Sequence, residues 1–96
     1  MIESELRISR FKARVHGRVQ GVGFRQYTNE RAIALGLNGF VRNHWDGTVE
    51  VEAEGSEGDI HEFLAWLHSG PPFARVTRVD VHWQVPTGKI TGFEVS

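Results

Sequence analysis

Two hydrophobic periods alternate along this chain, and their order limits its fold more than any other feature. In "FKARVHGRV", Phe11, Ala13 and Val15 alternate with Lys12, Arg14 and His16, the period of a strand with one buried face. Phe24, Thr28, Ala32 and Leu35 then fall on one side of a helix of roughly 24 to 35, and Gly36 supplies its stop. "LNGFVRN" and "TVEVEAEG" flank "HWDG", whose Asp46-Gly47 pair is a strong hairpin signal, so both read as strands. In the second of them Val49, Val51 and Ala53 alternate with Glu50, Glu52 and Glu54, giving one apolar face and one acidic face. Ser56 with Asp59 three residues on reads as a helix N-cap and a variant capping box. Ile60, Phe63, Leu64 and Leu67 follow at helical spacing until "GPP" at 70 to 72 ends the run. "VTRVDVHWQV" alternates again, with Val79, Val81, Trp83 and Val85 opposite Arg78, Asp80, His82 and Gln84, and "TGFEV" suits a short final strand.

The order β-α-β-β-α-β, with strands apolar on one face only, predicts an α+β fold. It is the ferredoxin-like βαββαβ sandwich, an antiparallel sheet with two helices on one face. Right-handed crossovers place strand one beside strand three in the middle. Lys12, Arg14 and His16 are then expected across from Glu50, Glu52 and Glu54 on the uncovered face, a solvated and charge-balanced surface. That expectation disfavours a rival function. Modules of this shape that bind single-stranded RNA stack bases on aromatic residues of the central strands, whereas here those positions carry Lys, Arg, His and three Glu. Carboxylates there repel a phosphate backbone, so no nucleic-acid partner is expected.

Composition agrees. Ninety-six residues, 40% of them hydrophobic, suit a single domain, expected over 10–96. Eleven basic and twelve acidic residues leave a net charge of -1, so any anion binding must be local. There is no cysteine, which excludes disulfides and thiolate ligands and is compatible with a reducing, cytoplasmic setting. Residues 1–9 are charged and lack an apolar run, so they read as a short loose leader, neither a signal peptide nor a membrane span.

The chemistry concentrates in "HGRVQGVGFRQY", where a strand gives way to a helix. Gly21 and Gly23 supply a backbone that can curl, and the first free N–H groups of a helix make a concave donor site for an anion. Glycines also serve such turns for purely steric reasons, and both readings stand on the glycines alone. The stretch is not G-x-G-x-x-G, because Gln26 stands at the third glycine's place, and no Gly-Lys-Ser/Thr of a nucleotide loop follows. Arg25 adds the discriminating feature. A cation is badly placed in the first turn of a helix unless it serves a ligand, and a guanidinium beside converging N–H groups suits a dianionic phosphoryl group.

"GRVQGVGFR", "LGLNGFVRNHWDGTVEVEAEG" and "GPPFARVTRVDV", in that order, closely resemble the acylphosphatase family from about residue 10 to the end. The resemblance implies hydrolysis of the carboxyl-phosphate bond of a small-molecule acyl phosphate, with neither metal nor cofactor. It implies that the loop Gln20, Gly21, Val22, Gly23 and Phe24, with Arg25, holds the phosphate, and that Asn43 positions the attacking water. It departs from the family in carrying Phe40 where a Trp is common and in ending "GFEVS" without a terminal aromatic, which leaves the docking of the C-terminal end open. A carboxylate leaves without a proton, so the reaction needs charge stabilisation and in-line positioning more than a general acid.

The remaining candidates have plainer readings. His44 could act as nucleophile or base, but in a hairpin it reads as a surface polar residue. His61 and His68 lack acidic or cysteine partners for a metal site and read as solvated, and Asp46 reads as turn chemistry. Trp45 and Trp66 could line an entrance, with packing the commoner role. The alternative function is a non-catalytic or accessory module binding phosphate or carbamoyl phosphate, as similar domains occur fused to larger proteins. A length of 96 residues favours a free-standing enzyme, expected as a monomer with no membrane partner.

Overall fold

Apolar faces that alternate along four strands can be buried together only if the strands pair and both helices lie over the same side. The computed structural model describes residues 7–96 and has that arrangement. Its elements are β1 (Ile8–Arg18), α1 (Phe24–Ala34), β2 (Asn38–Asn43), β3 (Val49–Ser56), α2 (Glu57–Ser69), β4 (Arg75–Gln84) and β5 (Phe93–Val95). The sheet order is β4-β1-β3-β2-β5, which puts β1 beside β3 as the crossover rule requires. Strand β1 begins at Ile8, so the sheet takes in the last two residues of the segment read as a leader, whose residues 1–6 lie outside the described ones.

One core joins the layers. Phe11, Ala13 and Val15 of β1, Val41 of β2, and Val49, Val51 and Ala53 of β3 pack with Phe24 and Ala32 of α1 and with Ile60, Phe63 and Leu67 of α2. Phe63 is fully buried, with its ring 6.2 Å from Phe11 and 6.1 Å from Phe93. Phe93 thus gives the C-terminal strand an aromatic anchor. Among the described residues no helix is long and apolar enough to cross a membrane.

Three details depart from the expectations. The pairs among β1 to β4 are antiparallel, but β5 runs parallel to β2, so the sheet is mixed. The cause is the path of the chain, which leaves β4 at one edge, crosses the end of the sheet and returns, so that β5 opposes β4 and runs with β2. Ser56 caps α2 differently from a capping box: its hydroxyl donates to the Asp59 carboxylate at 2.8 Å and makes no bond to the helix amides. The Glu57 amide is satisfied instead by the Arg7 carbonyl at 2.9 Å.

The uncovered face is the third. The pairs are Arg10 with Glu54, Lys12 with Glu52 and Arg14 with Glu50, one step along from the expected set, while His16 lies 2.9 Å from Asp80 of β4. Nor is the face uniformly wet, because Glu52 is only 7% exposed and Glu54 only 3%. Arg10 covers Glu52 with a 2.9 Å ion pair, and residues 85–92 cross over Glu54. Burying a carboxylate is tolerable only with such partners.

Candidate active site

Strand β1 ends at Arg18, and residues 19–23 turn the chain into α1. Val19 is buried and fixes the start of the turn. Gly21 and Gly23 adopt φ of +75° and +79°, the left-handed region that costs a residue with a Cβ roughly 1–2 kcal/mol. A Cβ at Gly21 would meet nothing within 4 Å, so the demand there is on the backbone alone. The first intrahelical bond of α1 runs from the Tyr27 amide to the Gly23 carbonyl at 3.0 Å. The amides of Phe24, Arg25 and Gln26 therefore have no acceptor within the helix, and its first turn contains no acidic side chain.

The residues that carry these amides line a cavity of about 480 Å³. One wall comes from Val19, Gly21, Gly23, Phe24, Arg25, Gln26 and Asn29, the other from Asn43 at the end of β2, Val95 at the end of β5 and Ser96 after it. Sheet pairing brings the second wall in, because β2 ends at the same side of the sheet as β1. Arg25 is exposed, and its Nη1 donates to the main-chain oxygen of Ser96 at 2.8 Å. Asn43 and Asn29 each have a side-chain oxygen shielded from bulk solvent that accepts no hydrogen bond within the protein. An orphaned acceptor of this kind is costly unless something fills the role. The cavity thus offers a guanidinium and free amides for an anion at one wall, and an uncommitted amide side chain at the other.

The expected site residues separate into two groups. Gly21, Gly23, Phe24, Arg25 and Asn43 line the cavity, whereas Gln20 and Val22 do not. Val22 packs against the core. Gln20 fastens the loop to the β2–β3 hairpin, its Nε2 donating to the carbonyls of His44 at 2.6 Å and Thr48 at 2.9 Å. The backbone of the loop is thereby held against the strand that carries Asn43.

The hairpin's other polar groups are committed elsewhere. Asp46 accepts from the Thr48 hydroxyl at 2.6 Å and the Thr48 amide at 3.0 Å, which holds its carboxyl below the ordinary value. His44 does not reach the cavity; its Nε2 lies 2.6 Å from Glu50, which also accepts from Arg42 at 2.7 Å. Burial pushes the Glu50 carboxyl up, yet the hydrogen bonds from His44 and Arg42 outweigh it and leave its pKa lowered. Trp66 packs as expected, 6.0 Å from Phe24 and under the Arg31 guanidinium at 5.6 Å. Trp45 does neither thing expected of it: it is 95% exposed on the hairpin tip and lies outside the cavity wall.

Some lining residues carried no distinguishing signal. Asn29 was within reach of inference, because it stands one helical turn after Arg25 and shares its face. Val95 and Ser96 were not, since only the parallel pairing of β5 with β2 brings them to the cavity.

Comparison with known proteins follows the same geometry. A sequence model of the acylphosphatase family matches residues 11–95. The chain is 51% identical over 82 residues to an acylphosphatase of Thermococcus kodakarensis, covering 85% of this chain and 89% of that one. It is 48% identical over 94 residues to an acylphosphatase of Rubrobacter xylanophilus, covering 98% and 86%. The crystal structure of acylphosphatase from Bacillus subtilis superposes with a TM-score of 0.88 at 35% identity, over 92% of this chain and 98% of that one.

Proposed function

The chain belongs to the acylphosphatase family, and from that premise we propose how its cavity carries the hydrolysis of acyl phosphates. The reaction yields a carboxylate and inorganic phosphate. Arg25 and the amides between Gly21 and Gln26 hold the phosphoryl oxygens, the guanidinium bridging two of them. The single observation that carries this reading is the convergence on one cavity of Arg25, uncommitted first-turn amides and the partnerless Asn43 oxygen.

Each step follows from those groups. Fixed donors around the phosphoryl group stabilise a loose transition state, in which charge spreads over the equatorial oxygens. The Asn43 oxygen accepts a hydrogen bond from water and turns the water's lone pair toward phosphorus, opposite the acyl oxygen. The new P–O bond forms as the bond to the acyl oxygen breaks, and that oxygen leaves with the electron pair as a carboxylate. An amide cannot take the water's proton, so the proton passes to a phosphoryl oxygen. No metal or cofactor enters the scheme. The accessory-module alternative is not favoured, because the curated relatives match this chain along 89% and 86% of their own length. The reading extends to a monomer in the cytoplasm acting on a small-molecule acyl phosphate.

Phosphate release from benzoyl phosphate, followed with and without a chelator, tests the scheme. Turnover by the wild-type chain that the chelator leaves unchanged is expected. Turnover abolished by the chelator would contradict a metal-independent site.

A further inference from the structure

Residues 85–92, between β4 and β5, have no hydrophobic period and take no part in the chemistry, yet they are bonded to each strand they cross after leaving β4. Gln84, Arg10, Glu54 and Asn38 form one row across β4, β1, β3 and β2. Along that row Arg10 Nη1 donates to the Val85 carbonyl at 3.4 Å. The amides of Thr87 and Gly88 donate one to each oxygen of Glu54, at 2.8 and 3.0 Å. The Gly92 amide donates to Asn38 Oδ1 at 2.8 Å, and its carbonyl accepts from the Gly39 amide at 2.9 Å. Glu54, only 3% exposed, thus has its two carboxyl oxygens held by two successive N–H groups.

The segment fastened in this way delivers β5 to the sheet. Strand β5 has only three residues on the edge beside β2, with Phe93 as its single core anchor, so the bonds of the preceding segment add to a short ladder. Immediately after it the Ser96 amide donates to the Val41 carbonyl at 3.0 Å, and the Ser96 oxygen receives the Arg25 guanidinium. Arg25 is an exposed, many-rotamer side chain at a helix end that disfavours a cation, and among the described residues Ser96 is its one hydrogen-bond partner.

We propose that Glu54 is a positioning residue for Arg25. It anchors the 85–92 segment, the segment holds β5, and Ser96 then fixes the guanidinium in the orientation that receives a phosphoryl group. Glu54 does so from five positions along the sheet from the Asn43 row, roughly 17 Å away at the rise of a strand. The proposal rests on Arg25 being the phosphate ligand. Pre-ordering a ligand-binding side chain affects affinity before it affects chemistry.

The test uses the full chain with Glu54→Gln, Asn38→Ala as a second break in the same anchor, and Ile60→Val as a destabilised control in the core under the helices, away from the uncovered face. Inorganic phosphate affinity is measured by calorimetry, and KM and kcat with benzoyl phosphate. Glu54→Gln and Asn38→Ala are expected to weaken phosphate binding and raise KM about 3- to 10-fold with kcat within about twofold, while Ile60→Val moves neither at a comparable loss in Tm. Unchanged phosphate affinity in both anchor variants, or equal weakening in the control, overturns the proposal. A wild-type chain that failed to bind phosphate would overturn the Arg25 reading as well, so the two failures are distinguishable.

Discussion

The two walls of the cavity are built by different means. Gly21 to Asn29 form one wall in a single pass of the chain, through a left-handed turn and the opening of α1. Asn43, Val95 and Ser96 form the other from the ends of β2 and β5, which only sheet pairing brings together. The first wall is set by local backbone chemistry and carries Arg25, the charge proposed to grip the phosphoryl group. The second depends on register over the whole sheet and holds Asn43, the group proposed to orient water. Binding, which needs Arg25, and turnover, which needs Asn43, should accordingly be separable by mutation at those two residues.

The largest effect belongs to the local wall. Arg25→Ala removes the guanidinium, and one fixed donor at such a site contributes about 3 kcal/mol or more, so kcat/KM should fall at least about 100-fold. Phosphate affinity should fall with it, as measured by product inhibition. Retained phosphate inhibition in a folded Arg25→Ala chain would break the assignment of binding to this wall.

Next comes the remote wall. Asn43→Ala should lower kcat by about 100-fold, again from about 3 kcal/mol, and leave KM within a few-fold, because the anion's donors are untouched. A rise in KM equal to the fall in kcat would erase the distinction between the walls.

A smaller effect tests the turn itself. Gly21→Ala meets no steric obstacle, so its cost is the left-handed φ alone, roughly 1–2 kcal/mol. Thermal unfolding should show a Tm lower by several degrees. Gly21→Asn should lose less, since Asn tolerates that region better than Ala. Equal losses would mean that the turn relaxes and does not impose its geometry.

The smallest concerns the hairpin that carries Asn43. Glu50 has a folded pKa below its ordinary 4.5, so the stability it contributes is fully present above that value and is lost as pH falls through the folded one. Chemical denaturation of wild type and Glu50→Gln should therefore differ most near neutrality and converge only once the pH lies below the folded value. A difference independent of pH would remove the ionic role of the His44–Glu50–Arg42 cluster.

The same contrast explains what the sequence made legible. The order of elements and the core followed from periods that need only a few neighbouring residues, as in Phe11, Ala13 and Val15 or Ile60, Phe63 and Leu67. The loop of Gly21, Gly23 and Arg25 was legible for the same reason, since backbone demand and charge sit side by side. Ser96 was not, because its place depends on a three-residue edge strand whose partner is chosen across the sheet. Glu54 shows the limit most clearly. Its alternation with Val51 and Ala53 marks it as outward-facing, which is correct, but whether an outward carboxylate meets water or another segment is decided by residues 85–92. Those residues announce nothing locally.

The separation of the walls can be tested directly by titrating folded Asn43→Ala with inorganic phosphate by calorimetry, beside wild type. The account predicts a dissociation constant within about threefold of wild type in a chain whose kcat has fallen about 100-fold. Loss of phosphate binding in step with turnover would contradict it.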